Sequence, residues 1–337
     1  MRWYVSEKQP RMAVLAAVSW VLLPLCGYAD TVVIGAGYAA PTPLSVAPGQ
    51  VVTLFVHVPG KTAADPVSAT APLPGTLGGF SAVLRQTFPS TPVAVPISSV
   101  VDAQSCSSVE PVQCDVVSMV TVEIPFELTG NNPRSRLPSN FARVDVSYNG
   151  TETASLFLNP VTDRIHVVSS CDVPSTQPGS CVAAVTHADG TAVTPDNPGQ
   201  PGETLTVALV GLGLAQQSVT TGEATPSPAP AVDGVLISLD ARVNQSPSVP
   251  VAATSSPAAA RMRPAAVGIY EIPFTVPVLP EGVPACATGA VASNLTISVG
   301  RVTSFDGVGI CVTPTAAPPG GVRSPEPRNV RSPEPRS

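Results

Sequence analysis

The chain has 337 residues, of which 40 are proline and 26 glycine, while 12% are charged and 4% aromatic. A hydrophobic share of 44% exceeds what a disordered chain carries, so a core is expected, and the proline content works against a helical architecture. Seventeen basic residues against 23 acidic ones give a formal net charge of −6, which argues against a nucleic-acid partner because that would need a basic surface. The length admits about two domains.

The first 29 residues read as a secretory signal peptide. Arg2, Lys8 and Arg11 precede an apolar run from Met12 to Leu25, and Gly27-Tyr28-Ala29 offers small residues at the −3 and −1 positions of a cleavage site. A transmembrane anchor is the rival, but the run is too short to cross roughly 30 Å of hydrocarbon. Lipidation at Cys26 is disfavoured by the bulky Pro24-Leu25 before it. No later segment is apolar enough to span a membrane, so the mature chain is expected outside the cytoplasm, in the periplasm, at the cell surface or in the medium.

Cleavage leaves 14 basic and 22 acidic residues, a net charge of −8, and removes both tryptophans, Trp3 and Trp20. Six cysteines remain: Cys106, Cys114, Cys171, Cys181, Cys286 and Cys311. An even number in an exported chain reads as disulfides. Fifteen pairings are possible, and sequence order favours 106–114, 171–181 and 286–311. A zinc site lacks support, since no C-x₂-C spacing occurs and the three histidines are scattered.

The mature chain is a series of short Val/Thr/Leu-rich runs separated by Pro, Gly and Asn. Val51–Val56, Val120–Ile124, Val144–Tyr148 and Leu295–Val299 are examples. Such runs predict many short strands and a β-sandwich or barrel. The runs also recur with an offset near 150 residues. Pro48-Gly49-Gln50-Val51 answers to Pro201-Gly202-Glu203-Thr204, Gly79-Phe80 to Gly234-Val235, and the Val144 run to the Leu295 run. Glu123-Ile124-Pro125-Phe126 returns unchanged as Glu271-Ile272-Pro273-Phe274. Four matches in order indicate duplication, and Pro125 and Pro273 are expected to mark the same irregular strand in both copies.

Three segments read as loops: Gly60–Leu77, Ala224–Ala231 and Gln245–Pro264, the last two as mobile Ala/Ser/Pro-rich insertions. Residues 314–337, with Arg323–Arg328 repeated as Arg331–Arg336, are expected to be an extended, disordered tail.

Several motifs carry less chemistry than they promise. Gly35-Ala36-Gly37-Tyr38-Ala39-Ala40 imitates a dinucleotide fingerprint, but Pro41 and Pro43 prevent the helix whose N-terminus would meet a pyrophosphate. The glycines are better read as shaping a turn. Neither G-x-S-x-G nor H-E-x-x-H occurs. His57 and His166 lie in strand patterns and are expected at the surface, and His187-Ala188-Asp189-Gly190 reads as a turn. No pair among the acidic residues stands out for glycosidase work. Asp189, Asp196, Asn197 and Glu203 could offer oxygen ligands to calcium, although Asp and Asn beside Pro and Gly are what turns use in any case. No cofactor and no enzymatic activity are expected. A flat aromatic sugar platform is disfavoured because the mature chain keeps no Trp and only Tyr38, Tyr148 and Tyr270.

The stretch from His187 through Pro195, Pro198 and Pro201-Gly202-Glu203 into Gly211-Leu212-Gly213 is distinctive, as is Val267–Phe274. With Ala47-Pro48-Gly49 and Glu123–Phe126, these residues resemble the acidobacterial Solibacter-type C-terminal domain family, over roughly residues 32 to 312. The resemblance implies exported, tandem immunoglobulin-like (IPT/TIG-like) β-sandwiches with an interaction role and no catalytic residues. The expectation is therefore an all-β chain with sandwiches at 31–172 and 178–313. It is expected to act as a non-enzymatic binding or adhesion module, contacting a protein or glycan through loops or strand edges, or else as a structural spacer.

Overall fold

A computed structural model describes residues 32–35, 38–39, 44–58, 60–106, 114–131, 139–169, 172, 184–232, 234–239, 254–257, 259–279, 285–286, 295–299, 302–303 and 309–313. The described residues are all-β, with no helix among them. None therefore forms a helix long and apolar enough to cross a membrane. The signal-peptide residues, the tail and the Cys171 and Cys181 positions lie outside the described residues.

The strands form four sheets enclosing two hydrophobic cores. Over the first core, one sheet centres on Val51–His57, Cys114–Glu123 and Ile97–Cys106. The facing sheet centres on Phe80–Gln86, Ala142–Tyr148 and Thr151–Pro160, with Leu44–Val46 added in parallel at its edge. Over the second core, Thr204–Val210, Tyr270–Thr275 and Ala260–Met262 make one sheet. Thr254–Pro257, Val235–Leu239, Leu295–Val299 and Val302–Thr303 make the other.

Period-two alternation explains why these residues make two-layered units. In Phe80–Gln86, Phe80, Ala82, Leu84 and Gln86 are buried while Arg85 is exposed. Each strand so hides one face and presents the other. The cores hold mainly Val, Leu and Ile, with Phe80 and Tyr270 as their largest fully buried side chains.

Some of the recurring runs make like pairings in the two units. Val51–His57 and Thr204–Val210 each follow a glycine with positive φ, Gly49 and Gly202. Phe80 pairs with Tyr148 and Leu84 with Val144, as Val235 pairs with Val299 and Leu239 with Leu295. The Glu-Ile-Pro-Phe motif departs from the symmetry. Glu123 closes its strand opposite Val51, so Pro125 lies beyond the sheet. Glu271 lies opposite Ala208, and Pro273 pairs opposite Thr206 inside its strand. The two prolines do not mark one shared strand. Pro273 is tolerated because the Ala260–Met262 strand pairs only with Tyr270 and Glu271, which leaves the proline nitrogen at an open edge.

Other loop expectations are corrected too. Val67–Ser68 and Thr76–Leu77, inside Gly60–Leu77, are short strands. The Ala224–Ala231 stretch is pinned by Thr225, whose backbone N–H and hydroxyl both donate to the Ala266 carbonyl while Ala265 N–H donates to the Thr225 carbonyl. Part of Gln245–Pro264 is strand, Thr254–Pro257 and Ala260–Met262. Ile34 pairs with Ala39 and Gly35 with Tyr38, so the glycine-rich segment doubles back as a hairpin rather than opening a helix.

Two polar clusters close the first unit. At one end Lys61 reaches inward to Asp102, and both side chains are almost wholly buried. Asp102 also accepts from Ser118 Oγ at 2.6 Å and Ala64 N–H at 2.9 Å. Burial alone would raise the Asp102 carboxyl, but the Lys61, Ser118 and Ala64 donors hold it below the usual carboxylate range. The Lys61 ammonium also stands 5.9 Å from the Phe80 ring centre and 5.7 Å from that of Tyr148. Elsewhere Asn140 is buried, and its Oδ1 accepts from the Thr87 and Phe88 backbone N–H groups. Its Nδ2 donates to Gln86 Oε1 and the Thr129 carbonyl.

Cys286 and Cys311 form a disulfide closing 25 residues, as sequence order had favoured. Cys106 and Cys114 are Cα partners at the end of their hairpin.

Removing one partner of the buried ion pair leaves a charge without compensation. Lys61→Met is expected to lower unfolding stability by about 3–5 kcal/mol in urea denaturation. The double change Cys286→Ser with Cys311→Ser should cost about 3.5 kcal/mol by the loop-entropy relation, read in the same assay without reductant.

Candidate binding face and the junction between the cores

The suggested calcium ligands are engaged locally. The His187–Gly190 turn closes through Gly190 N–H on the His187 carbonyl, as read from Asp-Gly. His187 Nδ1 lies 2.6 Å from Glu203 Oε1, and its Nε2 lies 3.2 Å from the Asn197 carbonyl. Glu203 Oε2 accepts from Gln200 N–H at 2.8 Å. The Glu203 hydrogen bond raises the His187 pKa, while the Gln200 amide, then His187, lowers that of Glu203. Asp189 Oδ1 accepts from the Thr191 hydroxyl and N–H, which lower its pKa. Asp196 is exposed in the adjoining bend, and the Asn197 side-chain amide donates to Thr191 Oγ1 and the Ala192 carbonyl. Among the described residues no three His, Cys, Asp or Glu side chains are grouped to hold a metal. His166 is buried rather than at the surface, with Nε2 2.9 Å from both Asp172 oxygens.

Two features that the residue types did not announce are better placed. The first is the outward face of the Phe80–Gln86, Ala142–Tyr148 and Thr151–Pro160 sheet. Arg143 is the Cα partner of both Arg85 and Phe157, so these three form a row across the strands. Next to it stands Phe141, 74% exposed, with Phe157 61% and Phe88 52% exposed. Three of the chain's eight phenylalanines therefore face solvent in one region. Asn140 sets two of them, since it adjoins Phe141 and holds the Phe88 amide. Below the row Asp145 accepts from Arg85 Nε at 2.9 Å and Ser155 Oγ at 2.6 Å, and forms an ion pair with Arg143 Nε at 3.0 Å. The available signal was the alternation Phe141-x-Arg143-x-Asp145, which puts all three on one strand face.

The second feature is the junction. Glu123 is 1% exposed at the end of its strand. Its Oε2 accepts from the Gly222 N–H of the second unit at 2.5 Å, while Oε1 has no hydrogen-bond partner among the described residues. Gly222 in turn accepts from Leu73 N–H at 2.8 Å. Thr221 Oγ1 accepts from Phe126 N–H at 3.0 Å and donates to Glu127 Oε2 at 2.6 Å. Phe126 lies where a side chain at Gly49 would have to be, since a Cβ there would come within 2.1 Å of its ring, and it packs against the second core. Burial raises the Glu123 pKa to about 7, and the nearby Glu127 charge adds to the shift. Burial, then the Glu123 charge, also raises Tyr270, whose hydroxyl donates to the Gly213 carbonyl. Beside the junction opens a cleft of about 580 Å³, lined by Phe126, Leu128, Leu212, Leu214, Val232 and Val299 among others.

The pH consequence has a definite sign. The folded chain holds the Glu123 proton more tightly than an unfolded chain, whose glutamate has a pKa of 4.5. This contribution to stability is therefore fully present below about pH 4.5 and is lost as pH rises toward 7. At about 1.4 kcal/mol per pK unit, the loss is on the order of 3 kcal/mol. Glu123→Gln is expected to flatten that part of the pH–stability curve and to raise the melting temperature at pH 7.5 relative to wild type. An unchanged slope between pH 5 and 7 would remove Glu123 as its source.

Comparison with known proteins found neither a matching family model nor a matching curated protein.

Proposed function

We propose that the chain is an exported, non-enzymatic binding module of the cell envelope or extracellular space, built from two tandem immunoglobulin-like sandwiches of the IPT/TIG kind. The Solibacter-type resemblance and the repeated strand pairing support that reading of the fold. The single observation carrying the function is the exposure of Phe157 on the sheet face together with Phe141 and Phe88 beside its strand ends. Large apolar side chains grouped at a surface mark contact sites more often than isolated ones do. In this reading the contact surface combines an outward sheet position, Phe157, with Phe88 and Phe141 in the segments flanking the neighbouring strands.

The alternative, a rigid spacer, is favoured by the Glu123–Gly222 junction, which ties the two units through backbone groups. The two readings separate in a pull-down. Mature chain immobilised on resin is incubated with envelope extract from its own host, beside the doubly substituted chain Phe141→Ser with Phe157→Ser. A binding module should retain a specific partner that the double variant loses. Recovery of no specific partner by either chain would favour the spacer, and equal recovery of one by both would move the contact away from this face.

A further inference from the structure

The exposed phenylalanines lie against an arginine pair whose geometry is already set. Arg85 donates to Asp145 through Nε, and Arg143 Nε lies 3.0 Å from the same carboxylate, so one acid is shared between two guanidinium groups. The side chains remain about half exposed, at 51% and 44%. No other ion pair or hydrogen bond of either guanidinium occurs among the described residues. One carboxylate beneath two guanidinium groups leaves a local excess of positive charge on a protein whose net charge is −6. Arginine forks held in a fixed orientation suit carboxylates, which they can bind in a bidentate manner. The rings supply apolar area beside them, and phenyl groups offer no hydrogen-bonding edge to sugar hydroxyls. Phe141, Phe157, Arg85 and Arg143 line one shallow depression of about 280 Å³, room for a side chain or two.

From these features we infer that the Arg85–Arg143–Phe157–Phe141 face docks an acidic peptide segment of a protein partner, its carboxylates on the two arginines and a neighbouring apolar side chain among the phenyl rings. The inference rests on the binding-module reading and adds the chemistry of the partner. Charge complementarity favours this occupant. The molecule as a whole repels acidic partners, and this face is where an acidic segment finds compensation, so the charge pattern also sets the register of docking. The sheet positions are outward-facing, and their substitution leaves the buried side of the strands intact.

The test selects a random-peptide display library on the full mature chain, then measures enriched peptides by fluorescence anisotropy against wild type, Arg143→Gln and Phe157→Ser. Thermal melts confirm that both variants remain folded. The expected result is a consensus pairing Asp or Glu with Phe, Leu or Trp, binding at least about tenfold weaker to each variant and more weakly in high salt. A consensus without acidic residues, or one indifferent to Arg143→Gln, overturns the acidic chemistry and leaves the module reading standing. Peptides indifferent to both variants overturn this face as the docking site. Failure to enrich any peptide overturns the inference, and the envelope pull-down then decides the module reading separately. Parallel sedimentation uses phosphatidylcholine vesicles with and without phosphatidylglycerol. Binding only to the anionic vesicles, lost in Arg143→Gln, would assign the face to a lipid surface and overturn the peptide.

Discussion

The relation between the two cores turns on one buried carboxyl group. Glu123 leaves the end of its strand in the first unit and takes a backbone N–H from Gly222 of the second, while its other oxygen has no partner among the described residues. A buried carboxylate with a single donor is costly as an anion and acceptable as an acid, which is why burial moves its pKa to about 7. Around it the contacts are made largely by backbone groups, such as the Phe126 amide and the Gly222 carbonyl. Such contacts depend on chain geometry, so the junction carries the strand ends of one unit directly into the turns of the other.

Similar reasoning explains how the first unit can present aromatics to water without collapsing on them. Its aliphatic core is closed by polar groups that satisfy one another: Lys61 with Asp102 beneath Phe80 and Tyr148, and Asn140 with Gln86, Thr129 and the Thr87–Phe88 backbone. A buried amide using both ends holds its neighbours in one arrangement, because each lost hydrogen bond would leave an unsatisfied group. Asn140 thereby fixes the chain that carries Phe88 and Phe141. The exposed face is supported from below by the same network that closes the core.

The repeat shows how far sequence likeness can mislead about place. Gly49 and Gly202 begin equivalent strands, and there the copies agree. The identical Glu-Ile-Pro-Phe motifs do not. In the first copy the motif leaves the sheet, buries Glu123 at the junction and sends Phe126 onto the second core. In the second it stays in the strand, where Glu271 pairs with Arg261 at 2.6 Å. The difference is environmental: the first copy has a second unit against its strand end. Nothing within the four residues encodes that neighbour.

From sequence alone, the all-β class, several of the longer strands such as Val51–His57 and Leu295–Val299, a turn at the Gly35 glycines and the Cys286–Cys311 pair were legible. These depend on local rules: proline prevents helices, β-branched alternation makes strands, and paired cysteines stay close along the chain. The burial of His166, the pinning of the Ala224–Ala231 stretch and the short strands inside apparent loops were not, because each depends on a partner distant in sequence. The same holds for the two features that matter most for function. Only the tertiary structure sets Arg85, Arg143 and Phe157 in one row across three strands and brings Glu123 to Gly222, 99 residues away. Strand register and the meeting of two cores are long-range properties, and local pattern constrains neither.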